Sequence, residues 1–270
     1  MSDGTGVRRA AAGAGLDRHE RPRGGRHDRE RARRAVPHTT YAPGRVLAPA
    51  EWSAELLAAL ARRLAAFHER RYASAGPIDP QARGEIEGPP DVTAEFEESL
   101  GWWSEHHPDI VDVPWTRELA PLARAFIARR RPAFEDVQCS FLHGDLTASN
   151  VVVDDGVPWL IDWEWARVGE VAYDLALIGG AVHGGPWYVP MTQGEVSAFV
   201  GEYARCAHTA ADGDLGAFTA ALERRREAWE VCERFASCLR VHLRASEGAG
   251  PEYASAAERI VRTLRAQVMN

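Results

Sequence analysis

Residues 139 to 164 constrain their own geometry more tightly than any other part of the chain. Val151-Val152-Val153 and Trp159-Leu160-Ile161 are short β-branched and aromatic runs, the residue types that form strands. Asp154-Asp155-Gly156 stands between them, and Asp-Gly is a strong signal for a two-residue hairpin turn. Such a hairpin brings Asn150, just before its first strand, close to Asp162, just after its second. An apolar run from Cys139 to Leu142 leads into His143-Gly144-Asp145, and Asn150 lies five residues after Asp145 on the same loop. Two aspartates and an asparagine converge.

A carboxylate and an amide oxygen are hard ligands that suit Mg²⁺, whose other positions go to water and phosphate oxygens. A second carboxylate outside the metal shell can accept a proton from an attacking hydroxyl, which is how kinase phosphoryl transfer divides its labour. Protein kinases carry His-Arg-Asp, an Asn five residues after that Asp, and then Asp-Phe-Gly. Asp145 and Asn150 keep this spacing, and Asp162-Trp163-Glu164 stands where Asp-Phe-Gly would. Taken singly, Asp145 and Asn150 read as turn or cap residues. Their order and spacing together favour the chemical reading.

The run His143-Gly144-Asp145-Leu146 with Asn150, then Ile161-Asp162-Trp163-Glu164 and Tyr173-Asp174-Leu175-Ala176, resembles the aminoglycoside phosphotransferase and choline kinase family. The resemblance implies an α+β, protein-kinase-like fold: a mainly helical C-terminal lobe carrying a small catalytic β-hairpin. It implies Asp145 as catalytic base, with His143 bracing the catalytic loop. Asn150 and Asp162 would hold Mg²⁺ beside ATP, and Asp174 would be a buried anchor for loop backbone. Glu164 fits either a metal-shell role or an ion pair.

In the family an ATP-binding β-lobe with a phosphate-holding lysine precedes this lobe. Here the resemblance begins at Tyr41-Ala42-Pro43-Gly44-Arg45, and the chain contains no lysine. The N-terminal lobe is therefore expected to be missing. An alternative follows, in which the chain is a catalytically inactive truncated remnant or a binding protein. Residues 1–38 hold ten arginines and five acids and lack apolar periodicity, which reads as a disordered arm. No aromatic residue interleaves those arginines, so a nucleic-acid arm is disfavoured. A wrong start or a shifted frame would give similar text. The remainder, 39–270, is the kinase-like lobe.

Given a net charge of −7 for the chain and +5 for the arm, the lobe carries −12. Long-range attraction then favours a cationic small-molecule hydroxyl substrate. No apolar run has the length of a membrane span. The four cysteines show no metal spacing, and a cytoplasmic, reduced protein is expected.

Helices are expected over 51–71, 93–106, 117–131, 171–182, 192–207, 215–244 and 251–268, with a loop over 72–92. Thr192 and Glu195 make a capping box. Trp102 and Trp103 read as core packing rather than an acceptor pocket, and His106-His107 lacks partners for a metal. The charged cluster Glu223–Glu227 reads as a solvated helix face.

Overall fold

A computed structural model of the chain describes residues 42–72, 75–77, 90–135, 137 and 139–270. The arm expected over 1–38 and most of the loop expected after residue 72 lie outside these residues. Everything described belongs to one unit, Ala42–Asn270.

The chain runs β1 (Arg45–Val46), a 3-10 turn, α1 (Ala54–Phe67), β2 (Arg71–Tyr72), β3 (Gly76–Pro77), α2 (Val92–His106), α3 (Pro108–Val111) and α4 (Pro114–Ala128). Then come β4 (Cys139–Leu142), β5 (Val151–Asp154), β6 (Val157–Leu160), β7 (Arg167–Glu170), α5 (Ala172–Leu177), β8 (Gly179–Gly180), β9 (Val189–Pro190), α6 (Gln193–Ala207), α7 (Leu215–Ser246) and α8 (Pro251–Met269). This is the α+β, kinase-like class expected, dominated by helices with small sheets.

The hairpin forms as the sequence demands. β5 and β6 pair antiparallel with Asp154 opposite Val157, and the turn residues Asp155 and Gly156 sit at φ 46° and 75°. Positive φ at both central positions is what a type I′ turn requires. β1 adds to the β5 edge, giving the order β1-β5-β6. A second antiparallel sheet, β2-β4-β7-β3, holds the strand that feeds the His-Gly-Asp loop. Its two-residue strands and β7 carry no alternation of apolar and polar residues, so pattern alone does not reveal them.

Helix bounds shift for local reasons. α1 starts at Ala54 because the Ser53 hydroxyl accepts the Leu56 N–H at 3.3 Å. It ends at Phe67, and Arg71 and Tyr72 pair with β4 instead of extending the helix. α4 begins at Pro114, where a missing N–H costs nothing. α6 is opened by the capping box on Thr192 and Glu195. The apolar helix expected over 171–182 stops at Leu177, because Gly179 and Gly180 leave it to pair in parallel with Val189 and Pro190. A Cβ at Gly180 would collide with the carboxylate of Glu230 and the guanidinium of Arg226.

The core lies where α7 meets α5, α6 and α8, and includes Trp229, Phe235, Leu239, Tyr203 and Leu177. Trp103 is buried in it and Trp102 packs against it. His106 is exposed and bonds the Trp102 carbonyl through its ring at 2.9 Å.

The solvated-face expectation for Glu223–Glu227 fails at two residues. Arg225 and Arg226 are 8% and 1% exposed. Arg225 donates to Glu170 at 3.0 Å. Arg226 donates to the carbonyls of Leu175 (3.1 Å) and Gly179 and pairs with buried Glu230. Farther along α7, Arg234 donates to the carbonyls of Val182, Ala176 and Leu177. Arg226 and Arg234 satisfy carbonyls in and just after the short α5 that lack helical partners, groups that burial would otherwise penalise.

Candidate active site

β4 is paired along its whole length with β7, so the loop leaving Leu142 starts from a fixed edge. Two devices then shape it. Gly144 sits at φ 80°, and a Cβ there would collide with the carbonyl oxygen of Trp165. Asp174, fully buried on α5, accepts the backbone N–H of His143 at 2.7 Å and of Gly144 at 3.0 Å. Burial pushes the Asp174 carboxyl up, but the hydrogen bond and electrostatic attraction from His68, with the attraction and backbone N–H of His143, outweigh it, and its pKa lies below the ordinary aspartate value.

His143 is fully buried. Its Nδ1 accepts the Asp145 N–H at 3.3 Å, and its Nε2 lies 2.8 Å from the Ile161 carbonyl. An acceptor at Nδ1 and a carbonyl at Nε2 select the neutral tautomer with the proton on Nε2. The ring packs against Trp163, with centroids 4.5 Å apart. His143 thus ties the Asp145 loop to the end of β6.

Asn150 closes a 3-10 turn, Ala148–Asn150, that runs straight into β5. Its Nδ2 donates to both the carbonyl oxygen (2.8 Å) and the carboxylate (2.9 Å) of Asp145. The Ile161 N–H donates to the Asn150 carbonyl at 3.0 Å, so the hairpin places Asp162 one residue past that contact. Asp162 is exposed at φ 64°, a left-handed conformation that aspartate tolerates better than most residues. Among the described residues neither the Asn150 amide oxygen nor the Asp162 carboxylate has a hydrogen-bond or ion-pair partner. Glu164 is exposed and makes no such contact either, so the ion pair that was one option for it does not form among these residues.

An amide oxygen and a carboxylate, both left available, fit a hard divalent cation that takes its remaining ligands from water and phosphate. Among the described residues no three His, Cys, Asp or Glu side chains gather as a metal site, so the fit rests on this pair. The four cysteines are unpaired, with Cys206 exposed and the other three buried. Among the described residues no helix is long and apolar enough to cross a membrane.

A separate cleft of about 810 Å³ opens between the ends of α1 and α6 and the start of α7. Its lining includes His68, Ser140, Tyr203 and Arg225, and none of the residues singled out from the sequence as catalytic or metal-binding. Sequence reasoning assigned no role to Tyr203 or Glu170, and it read Phe67-His68 as the close of the first helix, resembling a Leu-His pair in relatives.

A profile of the phosphotransferase enzyme family matches residues 7–228. No curated protein sequence matches the chain. Among solved structures, ethanolamine kinase from Plasmodium vivax superposes with a TM-score of 0.56 at 13% identity, over 84% of this chain and 65% of that one. A choline/ethanolamine kinase family protein from Mesorhizobium loti gives 0.57 at 12% identity, over 86% and 70%. The GDP complex of aminoglycoside 2'-phosphotransferase-IIIa gives 0.51 at 14%, over 84% and 68%. This chain thus spans about two thirds of the length of these solved proteins. Such identities speak to fold alone, while the profile covers most of the sequence: the chain belongs to the phosphotransferase enzyme family.

Proposed function

We propose that this chain takes part in transfer of the γ-phosphate of ATP to a hydroxyl of a small molecule. The observation that carries the reading is the two-point hydrogen bond from Asn150 to Asp145, beside a hairpin that ends in Asp162. One amide group holds the base from its nitrogen and leaves its oxygen for a cation. In this reading Asp145 accepts the proton of the acceptor hydroxyl as that oxygen attacks phosphorus and the bond to the ADP oxygen breaks. Asn150 and Asp162 would hold Mg²⁺, which neutralises phosphate charge when bound. His143 and Asp174 keep the loop in place and touch none of the reacting atoms. Glu164 is close enough in sequence to Asp162 to join the metal's outer shell.

The acceptor is proposed to be an amine-bearing alcohol. The charge of −12 on residues 39–270 attracts cations at long range. Three proteins of similar fold are named for ethanolamine, choline or aminoglycosides, all amines.

Calorimetric titration of the 270-residue chain with ATP and Mg²⁺, with Asp162→Asn as control, tests the nucleotide half of this reading. Saturable binding that needs Mg²⁺ and disappears in the variant is expected. No binding at millimolar ATP, or equal binding by the variant, would overturn it.

A further inference from the structure

Ala148 opens the 3-10 turn that ends in Asn150. The Thr147 and Asn150 N–H groups bond within the loop, to the carbonyls of Asp145 at 2.9 Å and Thr147 at 3.0 Å. The Ala148 N–H instead leaves the loop and donates to the Trp187 carbonyl at 2.8 Å. No local cap competes for it. Thr147, at the head of the turn, makes no side-chain cap bond, and its hydroxyl lies 2.8 Å from that of Ser149. Ala148 is fully buried, where an N–H without an acceptor is costly.

The Trp187 carbonyl is held from both sides. Downstream, Tyr188 is buried under the guanidinium of Arg234, with its hydroxyl 2.6 Å from the Ser237 hydroxyl on α7. Upstream, the connection from β8 is pressed against α8. The His183 N–H donates to the Thr263 hydroxyl at 3.2 Å. A Cβ at Gly184 would lie 2.6 Å from Ile260 and 2.7 Å from the Ala256 carbonyl oxygen. Gly185 sits at φ 66°, and a Cβ there would collide with the Trp187 ring. That ring packs on Tyr253 in the first turn of α8, with centroids 5.7 Å apart.

We propose that Trp187 is a positioning residue through which the C-terminal helix α8 sets the turn carrying Asn150. Tyr253 holds the Trp187 ring, the Trp187 carbonyl holds the Ala148 N–H, and the turn then fixes the direction of the Asn150 amide. Neither aromatic ring needs to touch a reacting atom. The kinetic consequence rests on the phosphotransferase reading, while the link itself is a property of the folded chain.

The test compares Trp187→Ala, which removes the ring, with Trp187→Phe, which keeps an aromatic face for Tyr253. Tyr253→Ala breaks the same link from the α8 side. Amide hydrogen exchange is read by NMR on the full chain without nucleotide. In Trp187→Ala and Tyr253→Ala, exchange at Ala148 is expected to rise about tenfold, the worth of one buried hydrogen bond. Amides in the middle of α7 should not change, and Trp187→Phe should keep the parent's protection. In turnover assays the Mg²⁺ concentration giving half the maximal rate should rise about 10-fold or more in Trp187→Ala, the usual cost of losing support behind a metal ligand. It should return toward the parent value in Trp187→Phe. Unchanged exchange at Ala148 in either alanine variant, or a rise shared equally by α7, would overturn the link. A change confined to KM for the acceptor, with the Mg²⁺ requirement unmoved, would also overturn it and make Trp187 a substrate contact instead. A local rise in exchange with no turnover by any form would uphold the link and count against the phosphotransferase reading.

Discussion

The side-chain nitrogen of Asn150 donates to two atoms of Asp145 at once, the carbonyl oxygen at 2.8 Å and the carboxylate at 2.9 Å. Both bonds come from the same end of the amide, so its orientation is set and its oxygen faces elsewhere. Four residues of chain lie between the two, and the 3-10 turn over Ala148–Asn150 folds that interval back on itself.

Replacing Asn150 with alanine removes the clamp on Asp145 and one of the two proposed metal ligands together. Misplacement of a reacting group by about 1 Å can cost about 100-fold in rate. Phosphotransfer by Asn150→Ala is expected to fall by at least that much, with the melting temperature close to that of the parent. Steady-state kinetics and a thermal melt, run together, check it.

Asp174 ties acid stability to the loop. Its carboxyl is held below the ordinary aspartate value, so the native state binds this proton less readily than the unfolded chain does. The stability it contributes is fully present above the unfolded-chain value, about pH 3.9. It is lost as pH falls through the native value. Asp174→Asn leaves a loop N–H facing an amide NH₂ and should cost about 1–3 kcal/mol at neutral pH. The gap between parent and variant should narrow as pH drops below about 3.9, measured by urea unfolding across the acid range.

Arg226 joins α7 to the segment that leaves α5. Arg226→Met strands the buried carboxylate of Glu230 and the carbonyls of Leu175 and Gly179. Removing one member of a buried ion pair costs about 3–5 kcal/mol. The double change Arg226→Met with Glu230→Met should recover part of that loss, because no uncompensated charge remains. Denaturant unfolding of both variants decides it.

What the sequence revealed and what it concealed divide along physical lines. The Asp155-Gly156 turn and the Thr192–Glu195 box were legible because each is a local device, complete within four residues. The approach of Asn150 to the residue before Asp162 followed from the hairpin for the same reason, the Ile161 N–H donating to the Asn150 carbonyl. β7 was not legible, since Arg167-Val168-Gly169-Glu170 has no alternation and becomes a strand because β4 and β3 lie on either side of it. The burial of Arg225 and Arg226 was concealed because their partners are a distant carboxylate and backbone carbonyls of a helix that ends early. Hydropathy records the charge of an arginine and says nothing of the acceptors across the core. His68 was visible as a helix-capping histidine, while its partners Tyr203 and Asp174 lie 135 and 106 residues away.

Phosphate transfer itself tests the central claim most directly. The chain would be incubated with ATP, Mg²⁺ and a panel of amine-bearing alcohols, and ³¹P NMR would follow ADP and any phosphomonoester. Acceptor-dependent formation of both is expected, slowed about 10²–10⁴-fold in Asp145→Asn, the usual cost of losing a general base. Product formed at the same rate by Asp145→Asn, or no acceptor-dependent product from the parent chain, would contradict the assignment of Asp145 as the base of a small-molecule phosphotransferase.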